Sequence, residues 1–456
     1  MNIWWIRRDL RLNDNPSLTT TLELGQGVVP VFILDDLLLE KRAEKRQTFL
    51  FSALAYLADE LEHLGSRLVI RRGDPRVEIP RLAEEVNAEV VIAEEDYSPY
   101  AARRDAAVVV DVNLRLVHGV GVHHPNMVLK ADGKPYTVFT PFSRTWKALP
   151  VGTSTIPSPS SMPAVPPLSS VEIPVHTPLK EFPATESEAT RRLMDFLGGP
   201  VSEYGDNRNR MDLDGTSSLS PYFRFGILSA RSALLQANRA LETTTDRSFK
   251  TGVDTWINEL IWREFYQSIL YHFPDVLKSA FNPTMRNIPW RNAPDELQAW
   301  QSGQTGYPVV DAAMRQLAVT GWMHNRARMI TASFLVKDLL INWQEGERWF
   351  MRSLVDGDPA ANNGGWQWTA GTGTDAAPYF RVFNPILQGK KFDPLGDYVR
   401  RWVPELSAVP EKWIHTPWEM PFGEQEKAGL VIGRTYPAPI VDHAVARSRT
   451  LAAYRQ

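Results

Sequence analysis

The stretch DGDPAANNGGWQW, Asp356 to Trp368, packs two carboxylates, two adjacent amides, three glycines and two indoles into one short segment. Indoles are electron-rich and stack on planar rings, carboxylates accept from ring N–H groups or ribose hydroxyls, and glycine lets a backbone lie close to a flat ligand. Asp356 and Asp358 equally suit a metal or acid/base work, and Trp366 and Trp368 equally suit a packed core.

Three further stretches carry comparable chemistry. In NELIWREFY (258–266), Glu259, Trp262, Arg263 and Tyr266 share one helical face at i, i+3, i+4 and i+7. That face reads as an ion pair, Glu259–Arg263, beside a buried indole, or as a surface on which a base stacks while charged groups bond its edges. GWMHNRARM (321–329) sets Asn325 and Met329 four residues apart, with Arg326 and Arg328 alongside. The arginines suit phosphates and the Asn–Met face suits a planar ligand; a solvated helix with one buried methionine accounts for the pattern as well. His324 has no second metal ligand at a usable spacing. GTSSLSPYF (215–223) leads several hydroxyls into Ser220 and Pro221, where Ser suits an N-cap and Pro the first helical position. A capped helix is the simpler reading; a phosphate or pyrophosphate at a helix start is the functional one.

These side chains need a scaffold, and the first 140 or so residues supply one kind. Apolar β-rich runs at NIWWI, 28–34, 67–70, 89–95 and 114–119 alternate with helical spacing over 47–64 and 77–87. The alternation predicts a parallel, doubly wound, Rossmann-like α/β sheet. No G-x-G-x-x-G follows the first run, so a dinucleotide grip of that type is not claimed for this sheet. From Pro150 to Pro183 stand nine prolines with many Ser and Thr, which predicts an extended connector. Beyond about 186 the spacing turns helical, as in 255–273 and 325–343. At 456 residues the chain should form two or three units. It has no cysteine, which excludes disulfides, thiolate metal sites and thiol nucleophiles. A net charge of −3 argues against a polycation that coats nucleic acid, so a nucleic-acid partner would need a local basic face. No apolar run is long enough to span a bilayer and no signal-peptide pattern opens the chain, so a cytoplasmic location is expected.

Taken in order, WWIRRDLRLNDNPSL, GTSSLSPYFRFG, NELIWREFY, TGYPVVDAAMRQLAVTGWMHNRARMITASFLVKDLL, DGDPAANNGGWQW and TGTDAAPYFRVFNP resemble the photolyase/cryptochrome family, most closely its class I cyclobutane pyrimidine dimer photolyases. The likeness covers nearly the whole chain apart from the Pro-rich connector. It implies an α/β antenna domain over 1–140, a connector over 141–185 and an all-helical FAD- and DNA-binding domain over 186–456. Tyr204, Thr216, Ser217, Ser218, Leu219 and Ser220 would then hold the cofactor diphosphate. Trp256, Glu259, Arg263, Asp356, Gly357 and Asp358 would complete the cofactor contacts, and Asn362 would face flavin N5. Trp290, Trp343 and Trp366 fall where the family places its electron-transfer tryptophans.

By the same resemblance, Trp262 and Trp368 would flank a flipped lesion, with Glu259 and Asn325 at its base edges and Met329 beside it. Arg208, Arg263, Tyr266, Arg326 and Gln388 would meet DNA. The implied activity is light-driven splitting of cyclobutane dimers in UV-damaged single- or double-stranded DNA by fully reduced FAD, with no metal. The implied protein is a monomer without an obligate protein partner or membrane contact, at the nucleoid when bound to DNA. EEDYSPYAARRD (94–105) looks somewhat more like members that use 8-hydroxy-5-deazaflavin as antenna than those that use methenyltetrahydrofolate. The (6-4) photolyases carry two histidines where Asn325 and Met329 stand. Plant cryptochromes commonly carry an acid where Asn362 stands, and signalling members usually append tails where this chain stops at Gln456. These departures favour dimer repair over (6-4) repair and over blue-light signalling.

Overall fold

A computed structural model describes residues 1–455. The chain divides into two compact units, Met1–Gly205 with Ser217–Pro274, and Asp206–Thr216 with Asp275–Gln456.

The first unit is built on five parallel strands, β1 (Asn2–Ile6), β2 (Val28–Leu34), β3 (Val69–Arg72), β4 (Val90–Glu94) and β5 (Leu114–Val117), in the order β3-β2-β1-β4-β5. Asn2 sits in register with Val28 on one side and Val90 on the other. Helices Pro16–Glu23, Glu44–His63, Pro75–Glu85 and Pro99–Asp111 form the crossovers that parallel pairing demands. Every residue of β1 and β2 is buried, which is why β2 reads as an unbroken apolar run and β1 as one from Ile3 onward. The run at 67–70 forms its strand two residues later than its composition suggests. Val69 pairs with Val31, while the Arg67 guanidinium donates to the carbonyls of Pro166 and Leu168 at 3.0 and 2.9 Å.

Residues 150–183 contain no helix or strand. They run beside β3, where Val171 N donates to Ile70 O at 2.9 Å and Ser170 Oγ accepts from Ile70 N at 2.9 Å. An edge strand that would otherwise offer bare N–H and C=O groups is thereby paired within the chain.

Charge turns inward where the chain leaves β1. Arg11 Nη2 meets Glu94 Oε1 at 2.5 Å, Arg7 Nη1 meets Asp105 at 2.7 Å, and Trp4 Nε1 donates to Ser17 Oγ at 2.8 Å. Burial pushes the Glu94 carboxyl up to about 7 against the pull of Arg11.

The long helix Arg247–His272 starts at Asp246, whose side chain accepts from Ser248 N. It lies against the turn Pro200–Glu203 at Gly252, where an added Cβ would stand 1.7 Å from Val201 O. Farther along, Glu264 accepts from Val122 N at 2.5 Å, His123 N at 3.2 Å and Trp146 Nε1 at 2.6 Å. That helix therefore holds both the loop 118–124 and the helix Phe139–Ala148.

The second unit is helical, with a core that includes Trp300, Phe334, Trp343, Phe350, Trp366 and Tyr398. The run 325–343, expected to continue as helix, is broken. Helix Asn325–Ser333 passes into a π-helical turn at Phe334–Asp338, Leu340 adopts φ +52°, and a new helix, Trp343–Ser353, starts under an Asn342 cap. The reason is tertiary. Lys337, 1% exposed, donates to Ala370 O at 3.0 Å and lies 3.6 Å from the Tyr454 ring, while Asp338 pairs with His443 at 2.5 Å. Burial lowers the Lys337 amine to about 7. Among the described residues, no helix is long and apolar enough to cross a membrane.

Since the group beneath Gly252 is a backbone carbonyl that cannot swing aside, Gly252→Ala should cost about 1–3 kcal/mol as an overpacked contact. The measurement is the urea midpoint; a midpoint equal to the parent's would show that helix and turn separate freely.

Candidate functional site

In the first unit, Trp256 is buried and donates its Nε1–H to Ser217 Oγ at 3.1 Å. Phe196 joins it to Tyr204, with ring centroids 5.8 Å from Trp256 and 5.4 Å from Tyr204. Ser217, Tyr204 and Trp256 thus belong to one locality. Ser218 takes φ +51°, a left-handed conformation that costs a non-glycine energy and clusters at ligand-binding turns. Ser220 is not the cap expected of it. Leu219 holds that position without a side-chain hydrogen bond, and Ser220 and Pro221 are the first helical residues of Ser220–Arg224.

Trp262 and Glu259 lie half-buried on the long helix, one turn apart. One face of the Trp262 indole is covered by Phe139, with centroids 3.7 Å apart and planes 2° from parallel. Phe265 and Tyr266 flank it, each at 5.6 Å. Arg263 leaves this aromatic face and donates to Val120 O at 3.0 Å and Phe223 O at 3.2 Å.

In the second unit, Asp356 is buried and its Oδ2 accepts from Arg328 Nη2 at 2.7 Å. Arg328 also donates to Met323 O at 2.8 Å, so this arginine, expected beside phosphates, instead fixes a carboxylate. Asp356 Oδ1 is buried and has no partner among the described residues. A buried acceptor is costly to leave unpaired, and a ligand N–H or O–H would satisfy it. Asp358 caps helix Pro359–Ala370, accepting from Ala360 N at 2.9 Å and Ala361 N at 3.1 Å. Gly357 lies buried between the two acids.

The NNGGWQW residues sit inside that helix, at a conformational cost of about 1 kcal/mol for each glycine. A side chain at Gly365 would meet nothing within 4 Å, so that side of the helix is open. Asn362 Nδ2 donates to Glu347 O at 3.1 Å, and Asn363 Nδ2 donates to Glu347 Oε1 at 3.0 Å. Burial pushes Glu347 up to about 7. Trp366 is 2% exposed and lies over Gly346, where a Cβ would be 2.0 Å from its ring. Trp343 and Trp366 share one core; Trp290 packs against it and meets Tyr454 edge-on at 6.0 Å. Trp368 is half-buried.

Asn325 is exposed, and its Nδ2 lies 4.0 Å from the Sδ of the half-buried Met329. Arg326 donates its Nε–H to Asn209 Oδ1 at 3.1 Å and lies 4.5 Å from the Phe392 ring. Burial, with Arg208 and Arg381 nearby, lowers it to about 10. Beyond burial, the like charges of Arg208 and Arg381 beside it make this a local basic cluster. Gln388 stands on helix Pro385–Phe392, its Oε1 buried without a partner among the described residues. Sequence reasoning passed over Arg381, Asn209, Phe139 and Glu347. Arg381 alone carried a signal, as a cation set among aromatics in PYFRVF.

Residues 256–456 match the family model for the FAD binding domain of DNA photolyase, and residues 2–164 match that for DNA photolyase. The deoxyribodipyrimidine photo-lyase of Streptomyces griseus is 43% identical over 465 residues, covering 97% of this chain and 96% of that protein. A bacterial class III photolyase from Agrobacterium tumefaciens superposes with a TM-score of 0.93 at 37% identity, covering 100% of this chain and 97% of the other. A Synechocystis cryptochrome gives 0.92 at 29% identity, with 99% of each chain covered. A likeness that runs at this identity through the sheet-bearing unit and the helical unit alike makes the chain a member of the DNA photolyase family.

Proposed function

We infer that this chain is a deoxyribodipyrimidine photo-lyase, which splits cyclobutane pyrimidine dimers in UV-damaged DNA under light. The observation that carries the reading is the orientation of Asn362. Its amide N–H is committed to Glu347 O, which leaves Oδ1 as the end that would accept from the N5–H of a reduced flavin. When bound, fully reduced FAD supplies the redox chemistry, an electron lent to the dimer under blue or near-ultraviolet light and recovered once the ring has opened.

The protein's own work is binding and electrostatics. Asp356 Oδ1 would be the buried acceptor for a flavin or ribose donor, with that carboxylate aimed by Arg328. Tyr204 and Thr216 to Ser220 would hold the diphosphate, with Ser217 oriented by the Trp256 indole. Flipping a lesion costs a few kcal/mol, and stacking on aromatic rings returns roughly 1–3 kcal/mol per base. Trp262 supplies such a ring and Trp368 a second; Glu259 and Asn325 supply edge partners, and Met329 a soft contact. Arg208, Arg326 and Arg381 would neutralise backbone phosphates locally on a chain of net charge −3. Trp290, Trp343 and Trp366 would pass electrons inward to restore the reduced cofactor.

An antenna chromophore, 8-hydroxy-5-deazaflavin by preference, would bind at the carboxyl ends of β1 and β4, where the strand order reverses. Arg104 lies there, 4.8 Å from the Trp5 ring and 5.7 Å from Tyr100. A blue-light receptor is the second reading, favoured by the likeness to the Synechocystis cryptochrome. Purified holoprotein mixed with dimer-containing oligonucleotide should restore pyrimidine absorbance under blue light; a spectral change in the protein with no repair would support the receptor.

Two further outcomes are expected. Trp290→Phe should block light-driven reduction of oxidised flavin while binding to dimer DNA stays at the parent value; photoreduction at the parent rate would remove Trp290 from the route. Glu347 holds Asn362 through its backbone carbonyl and Asn363 through its carboxyl, whose folded value, about 7, lies above the ordinary 4.5. Its stabilising contribution is complete below 4.5 and is lost as pH rises through 7. Glu347→Gln should therefore gain on the parent between pH 5 and pH 8, by up to about 3 kcal/mol in urea unfolding. A difference that does not change with pH would show that Glu347 titrates normally.

A further inference from the structure

Of the groups around the proposed lesion-stacking indole, Phe139 has no assigned task and the closest geometry. Its ring lies on Trp262 at 3.7 Å with an interplanar angle of 2°, and it also meets Phe265 edge-on at 5.9 Å. A stack this parallel on one face of a half-buried indole has two consequences. It removes that face from competition for any ligand, and it fixes the plane that the other face presents. An indole already held in its bound orientation gives up little rotamer entropy when a base stacks on it.

The brace is itself held from behind. Phe139 opens the helix Phe139–Ala148, and Trp146 near the far end of that helix donates to the buried Glu264 at 2.6 Å. Glu264 lies two residues beyond Trp262 on the long helix. Phe142, one turn on from Phe139, packs against Phe265 at 5.3 Å. The short helix is thus pinned to the long one at three aromatic positions, with Phe139 at the end next to Trp262.

We propose that Phe139 is a positioning residue for dimer recognition: it braces the Trp262 indole so that a single, pre-oriented face is offered to the flipped pyrimidine pair. This deepens the repair reading and rests on Trp262 stacking the lesion. Phe139 touches no substrate in this role and acts through the indole alone.

The test is equilibrium binding of the full chain to an oligonucleotide carrying one dimer and to its undamaged counterpart, for Phe139→Ala, Phe139→Tyr, Trp262→Ala and the double variant. Phe139→Ala should lose about threefold to tenfold of the dimer preference, the range an aromatic pair supplies, with affinity for undamaged DNA unchanged. Phe139→Tyr should keep the preference, and in the Trp262→Ala background Phe139→Ala should cost nothing more. Phe139→Leu, which keeps apolar bulk without a parallel face, carries the same expectation if the alanine variant fails to fold. Loss in Trp262→Ala together with full preference in Phe139→Ala and Phe139→Leu would overturn the brace alone. An equal further loss in the double variant would overturn it too. Full preference in Trp262→Ala would remove the lesion-stacking role of the indole and this inference with it.

Discussion

Three donors from two other segments converge on the Glu264 carboxylate: the amides of Val122 and His123 and the Trp146 indole. Burial works against the charge there and raises the carboxyl's proton affinity, and each of the three hydrogen bonds pulls it back. Removing one partner of such a buried set exposes the full desolvation cost of what remains, so the arrangement persists as a whole or fails as a whole. What it secures is direction. With Arg263 tied to Val120 O and Phe223 O, the long helix cannot roll, and Glu259, Trp262 and Tyr266 are left to define the face that is half open.

The helical unit settles the same problem by close approach. Gly346 lets the Trp366 ring lie on the backbone of Trp343–Ser353, while Asn363 and Gln367, one turn apart on Pro359–Ala370, donate to Val276 O at 3.1 and 2.9 Å. One flank of that helix is thus used up on packing and polar ties. The opposite flank, at Gly365, is bare. Two glycines mid-helix weaken it intrinsically, and the density of ties on the closed flank offsets that weakness.

How much of this was legible depends on where each residue's partner lies in the chain. Strands β1 and β2 could be read to the residue because burial on both faces makes them almost wholly apolar, Asn2 at the start of β1 being the one polar residue in either. The edge strand β3 could not, since the connector takes Arg67 out of it through carbonyls about a hundred residues away. The break after Ser333 was hidden for a like reason: helical spacing continues through FLVKD, and distant residues, Ala370, Tyr454 and His443 among them, decide that Lys337 and Asp338 turn inward. In the site, the importance of Asp356 was visible as a carboxylate near amides and indoles, but its pairing with Arg328 was not. The cap formed by Asp358 is local and could have been read from Asp followed by Pro. Phe139 gave no signal at all, because an aromatic pair between distant helices leaves no periodicity.

Selectivity for a damaged pair is a difference between two large terms, the work of unstacking a base and the return from stacking it elsewhere. A ring free on both faces would reward any exposed base. One whose rear face is already covered, and whose plane is already set, rewards only a partner that brings its ring to the front at a fixed tilt. Two pyrimidines fused through a cyclobutane ring are such a partner, since their mutual geometry is set by covalent bonds and costs nothing to maintain. Intact neighbours would have to be ordered into that shape at the moment of binding, and the stacking return would be spent on doing so.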